Sequence, residues 1–200
     1  MINVDKIYDL MTDKGFQEPE TGNLFFPAYI YTYPPDEEYE IRKQIDILIS
    51  KLKRPNHFLD CMVINVYHEI INYLKTTTFT GTSLFDQVME MEPEEPEDAE
   101  DWIKDEINHV DFFPMLEEKV KSYFTPGTNK RVFLILYGFG SAYPYLRASD
   151  FLKKTERLIK QFKVILFYPG TYKESNYSLF GKLNDDHMYR AHNLNLLLGE

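Results

Sequence analysis

RVFLILYGFGSAYPYLRASDFLKKTERLIKQFKVILFYPG, from Arg131 to Gly170, decides how this chain folds. It holds two apolar runs, "RVFLILYG" (131–138) and "KVILFYPG" (163–170), and each closes on a glycine. Nearly continuous apolar strands belong in a sheet covered on both faces. Between them Leu152, Leu158, Ile159 and Phe162 recur at helical spacing, with Ser149 placed to cap a helix reaching about Phe162. Strand, helix and strand in that order predict a βαβ unit with its strands parallel, as neighbours or near neighbours.

The N-terminal part repeats the pattern. "AYIYTY" (28–33) is a strand, and Asp36–Arg54 is a helix with Ile41, Ile45, Leu48, Ile49 and Leu52 on one face. Acids open that helix and bases close it, as the helix dipole favours. "FLDCMVINV" (58–66) is the next strand, and Tyr67–Lys75 continues as helix. Residues 3–14 form a short helix between Asn3 as cap and Gly15 as stop. After a threonine-rich turn (76–82) and a short helix near 83–90, two more helices follow. One runs from about Asp98 to His109, with Trp102, Ile103, Ile107 and Val110 on one side; the other opens around Pro114 and carries Leu116, Val120 and Phe124. "AHNLNLLL" (191–198) alternates as a last strand would. The expected fold is α/β: a mainly parallel sheet with helices on both faces, a Rossmann-like three-layer architecture without a nucleotide-binding fingerprint. One domain spans 1–200, with an acidic insertion at about 76–125.

The formal net charge of −10 repels a phosphate backbone, so direct high-affinity binding to nucleic acid is not expected. No apolar stretch approaches the roughly 20 residues of a membrane span. The lone Cys61 lies in an apolar run, and a cytoplasmic protein is expected. From Glu90 to Glu106 ten acids face one base, Lys104. The plainer reading is a solvated linker and an acidic first turn of helix; the sharper one is a docking surface for a basic partner. Pro93 and Pro96 predict extended chain before Asp98. Lys153, Lys154, Arg157 and Lys160 read as a solvated helix face.

Ligands of a parallel sheet bind beyond its carboxyl ends, where "YGFGSAYPYLR" sits. Its chemistry does not match a known cradle. Gly138 and Gly140 supply two glycines of G-x-G-x-x-G, but Tyr143 takes the third place. No phosphate-loop lysine follows, and "PGTNK" (126–130) precedes its strand. Tyr143-Pro144-Tyr145 stiffens the loop, which suits a fixed contact surface. Arg147 and Arg190 sit among Tyr143, Tyr145 and Tyr189, where guanidinium groups stack on rings or pair with carboxylates. They serve either an internal ion pair or an anchor for a partner's carboxylate or a phosphate. In "DDHMYRAH", Asp185, Asp186, His187 and His192 are metal-binding types, but the histidine spacing fits neither one helix face nor one strand face. No nucleophile elbow is present. No catalytic residue, metal site or cofactor is therefore assigned. The partner-binding candidates are Gly138, Gly140, Tyr143, Pro144, Tyr145, Arg147, Tyr189 and Arg190.

The order "YGFGSAYPYLRASDFL", "VILFYPGTY", "LFGKLNDDHMYRAHNL", with the earlier "FPAYIYTYPPDEEYEIRKQI", resembles the BrxB family of BREX bacteriophage-exclusion systems. Gly138, Gly140, Pro144, Arg147, Phe167–Gly170, Tyr172, Leu179-Phe180 and Tyr189-Arg190-Ala191 carry the likeness. His192 departs from it, standing where the family pattern has phenylalanine. The resemblance implies a non-catalytic adaptor in an anti-phage complex. A PglZ-like protein is the first expected partner, and an AAA-type ATPase or a DNA methyltransferase are others. The competing expectation is a nucleotide-sensing or enzymatic domain that uses the 138–147 loop without a standard motif.

Overall fold

The computed structural model describes residues 4–17, 28–54, 59–108, 111–124, 132–159, 163–185 and 191–200. Two helices, α1 (Val4–Thr12) and α2 (Lys14–Gln17), precede β1 (Ala28–Tyr33). A 3-10 turn at Pro35–Glu37 leads into α3 (Glu38–Leu52). After β2 (Asp60–Asn65), the Asn65 side chain accepts from the His68 amide at 3.1 Å and starts α4 (Val66–Thr76). A small hairpin, β3 (Thr78–Phe79) with β4 (Thr82–Ser83), precedes α5 (Leu84–Met91), α6 (Pro96–Asn108) and α7 (Phe112–Tyr123). Then come β5 (Val132–Tyr137), α8 (Phe139–Ala142), α9 (Ala148–Lys154) and α10 (Glu156–Ile159). The chain ends with β6 (Lys163–Lys173), β7 (Asn176–Leu179), β8 (Leu183–Asn184), β9 (His192–Asn193) and α11 (Leu194–Leu197).

The main sheet has the order β2-β5-β6-β1-β9, and every neighbouring pair in it is parallel. As expected, β5 and β6 are direct neighbours, from Phe133 opposite Lys163 to Leu136 opposite Leu166. Alternation sorts side chains to two cores. Tyr29, Tyr31, Phe133, Ile135, Ile165 and Phe167 pack with Ile7 and Met11 of α1, Ile41, Ile45 and Leu48 of α3, and Leu194 of α11. On the other face Ile30, Met62, Ile64, Leu134, Leu136 and Leu166 meet Ile70, Val88, Ile107, Leu116, Val120 and Phe151. The acidic region thus contributes buried residues to this second core through α5, α6 and α7. No helix among the described residues is long and apolar enough to cross a membrane.

β1 and β2 lie in the same parallel sheet with β6 and β5 between them, so α3 crosses over two strands. Three expectations are corrected. The 191–198 stretch is not a strand: β9 is two residues long, and the Asn193 side chain accepts from the Leu196 amide at 2.9 Å, turning the chain into α11. Ser149 is not a cap; Arg147 precedes α9, and the helix gives way at Thr155, whose hydroxyl donates to the Phe151 carbonyl at 2.6 Å. The stretch before Asp98 is not extended. The Glu94 and Glu95 amides donate to the Met91 carbonyl at 3.1 and 2.9 Å, and Pro96 opens α6, where its missing N–H costs nothing.

Neighbouring connections leave β1 and β6 on opposite faces. α3 packs on one core, whereas the hairpin after β6 sends Tyr177 and Leu179 into the other. The carboxyl ends of β1 and β6 therefore form the switch point where such sheets hold ligands.

Candidate functional site

At the switch point Tyr33 of β1 lies opposite Pro169 of β6. β1 does not open into a glycine loop; Pro34 and Pro35 follow it directly. The buried Tyr33 hydroxyl donates to the Glu38 carboxylate, which also accepts from Arg42 Nε at 3.0 Å. Burial, then the Glu38 hydrogen bond, hold the Tyr33 phenol well above its ordinary pKa. On the other side β6 overruns the sheet and folds back, pairing Gly170 with Leu179 and Tyr172 with Tyr177 in antiparallel register.

The loop after β5 begins at Gly138, which adopts φ +87°, a value that favours glycine. A Cβ there would lie 2.4 Å from Asn65 Oδ1, so the start of the loop packs directly on the cap of α4. Phe139 and Leu146 are buried, and the Phe139 ring meets Phe151 edge-on at 5.5 Å. The Tyr143-Pro144 peptide is cis. Tyr143 and Tyr145 are half-buried and pack against the second core, with Tyr143 edge-on to Phe180 at 6.4 Å. A Cβ on Gly140 would lie 2.9 Å from Pro169 Cγ and 3.1 Å from Phe180 Cε1.

Arg147 is exposed, and its Nη1 donates to the Asn184 carbonyl at 3.3 Å. Beside it Asp185 is buried and accepts from the Tyr168 hydroxyl at 3.2 Å. Burial pushes the Asp185 carboxyl above its ordinary pKa, opposed by Ser149, Tyr168 and Arg147. The Tyr145 phenol is also held high, first by burial and then by Glu92, Tyr67 and Glu100, with Lys104 opposing. The loop is therefore in electrostatic reach of the acidic α5–α6 region.

The structure brings Gly138, Gly140, Tyr143, Pro144, Tyr145 and Arg147 together at the carboxyl edge, beside the switch point. Gly138 and Gly140 serve internal packing, the tyrosines and Pro144 are half-covered, and Arg147 faces solvent. Tyr189 and Arg190 lie outside the described residues, as do Asp186 and His187. Among the described residues no group of three or more His, Cys, Asp or Glu is placed to hold a metal ion. Sequence reasoning missed Asn65, Tyr67 and Asn184, and it weighed Asp185 only as a metal-binding type, not as the buried acceptor for Tyr168. Asn65 carried a legible signal, an asparagine between a strand and a helix; the others depend on tertiary placement.

This architecture can be set against known proteins. The chain is 24% identical over 191 residues to the BREX protein BrxB of Bacillus cereus, covering 96% of this chain and 95% of that one. It is 24% identical over 168 residues to the BREX protein BrxB of Escherichia coli, covering 83% and 76%. No solved structure matches it. The BREX protein BrxB family itself matches residues 62–194, a span that holds β5, β6, the β6–β7 hairpin and the whole 138–147 loop. The chain belongs to the BREX protein BrxB family.

Proposed function

We propose that this chain is a non-catalytic adaptor of a BREX phage-defence assembly, holding another component against the carboxyl edge of its sheet. Family membership carries the role in BREX phage defence. One observation supports the adaptor reading: the glycines of the carboxyl edge are used up inside the protein. Gly138 gives room to Asn65, Gly140 to Pro169 and Phe180, and Gly170 to the Ser178 carbonyl oxygen. A phosphate cradle uses the same freedom to bring backbone amides to a ligand. What is left facing outward is half-covered tyrosine and an exposed arginine, residue types in which binding energy concentrates at interfaces. A PglZ-like protein is the first partner to test, ahead of an AAA-type ATPase or a DNA methyltransferase.

Two measurements test the reading. Tagged chain co-expressed with the other BREX proteins should co-elute with one of them in fixed ratio. Thermal melting with ATP, GTP, NAD or Mg²⁺ should show no shift. A ligand held at 100 times its Kd adds roughly 2.7 kcal/mol, or about 5–10 °C for a chain this long. A shift of that size, lost in Arg147→Ala, would favour a nucleotide sensor instead.

A further inference from the structure

We propose that the surface where the α5–α6 corner meets the loop after β5 docks a basic, arginine-bearing segment of the protein partner. This rests on the adaptor reading and names the chemistry of what is bound. Tyr67, in the first turn of α4, follows β2; Tyr145 follows the neighbouring strand β5. Both rings are half-buried, fixed on one side by the second core and open on the other. The loop is held beside α4 by the close approach of Gly138 to Asn65, and α4 packs on α5, which packs on α6. The β3–β4 hairpin turns the chain back so that α5 packs along α4, which returns the α5–α6 corner toward Tyr67 at the start of α4. From there the charges of Glu92 and Glu100 oppose ionisation of Tyr145 through space.

The base at this corner is already engaged: Lys104 lies 2.5 Å from Glu100 and 3.1 Å from Asp101. Exposed Glu94, Glu95, Glu97 and Asp98 extend the negative field around the corner. Fixed aromatic faces within a field of carboxylates match a guanidinium group, which can stack on a ring while it pairs with an acid. A lysine ammonium has no planar fork for the carboxylate. The field would also speed encounter with a basic segment and repel nucleic acid.

The test measures binding of labelled oligo-arginine and oligo-lysine peptides of equal length to the full chain. Glu92→Gln with Glu100→Gln should weaken oligo-arginine binding about tenfold, the product of two roughly threefold losses. Asp9→Asn with Asp46→Asn removes the same charge from α1 and α3, on the opposite face, and should change it less than about twofold. Arginine should be preferred over lysine, and Tyr145→Leu should abolish that preference. Equal weakening by the two double variants, or none by the first, overturns the site. In co-expression with the BREX proteins, Glu92→Gln with Glu100→Gln should lose the partner while the Asp9 and Asp46 pair keeps it. If the partner stays on the Glu92 and Glu100 variant, the adaptor reading stands and this docking surface is wrong. If the unsubstituted chain captures no BREX protein, the adaptor reading fails, and the docking surface with it.

Discussion

A methyl group added at Gly170 would sit 2.2 Å from the Ser178 carbonyl oxygen, inside the antiparallel pairing of β6 with β7. Neither partner is a flexible side-chain end, so the hairpin would have to part. Gly170→Ala should cost about 3 kcal/mol, at the upper end of overpacking penalties. Gly81→Ala is the comparison: its φ is +91° but nothing lies within 4 Å, so about 1 kcal/mol of backbone strain is all it should cost. Denaturant unfolding of both variants checks the ranking, and equal losses would contradict the packing role. Asp185 gives a pH test. Its carboxyl is raised by burial, so its contribution to stability is full below its unfolded pKa and falls as pH rises through the folded one. Asn mimics the protonated form. Asp185→Asn should therefore gain stability relative to the parent as pH rises from roughly 3 to 7, and a gap that moves the other way would refute the account. Glycine at a strand end was legible as a constraint at both Gly138 and Gly170. What each glycine makes room for was not, because Asn65 and Ser178 reach them only through the fold.

At the scale of elements, the periodic signals held wherever a segment buries one clear face. α3 places Ile41, Ile45, Leu48 and Leu52 in the core at the spacing read from the sequence, and β1 occupies the expected 28–33. The failures cluster where a side chain intervenes in the backbone pattern. Asn193 caps α11 and cuts the last strand to two residues. Asn195 then completes the edge of β1, accepting from the Thr32 amide at 2.8 Å and the Thr32 hydroxyl at 3.1 Å, and donating to the Thr32 carbonyl at 3.0 Å. Alternating Asn and Leu mimics a strand because the asparagine amide supplies the hydrogen bonds a strand would. At the other edge the Tyr123 hydroxyl donates to the Cys61 carbonyl at 3.2 Å. Such covers keep sheet edges from pairing with other chains. Asn195→Leu should lower stability by about 1–2 kcal/mol, since half-buried polar groups of Thr32 lose their partner. It should also raise concentration-dependent association, seen by light scattering; a stable, monodisperse variant would show that the edge needs no cover.

For the whole molecule, the fold class follows from two apolar strands joined by a helix, but the strand order does not. Nothing in local periodicity says that β6 and β5 enter between β1 and β2, since that depends on which faces compete for burial across the sheet. The consequence is functional. The switch point falls between β1 and β6, where Tyr33, Pro169 and the β6–β7 hairpin are protein on protein, and the 138–147 loop stands beside it as a half-covered rim. The acidic region, which the sequence left open as linker or docking surface, lies within electrostatic reach of that rim at Tyr145. The central claim is that a partner is held at this rim, and Arg147 tests it most cleanly. Its side chain is exposed; among the described residues it donates to the Asn184 carbonyl at 3.3 Å and lends a favourable charge to Asp185, so it can be removed with little structural cost. The measurement is the affinity of purified Arg147→Ala for the co-eluting BREX component, with its melting temperature recorded alongside. The account predicts a loss of roughly 2 kcal/mol in binding, about 30-fold, as for an interface hot spot. It predicts a melting temperature lowered by no more than about 2–4 °C. Unchanged affinity in a variant that melts with the parent would contradict it.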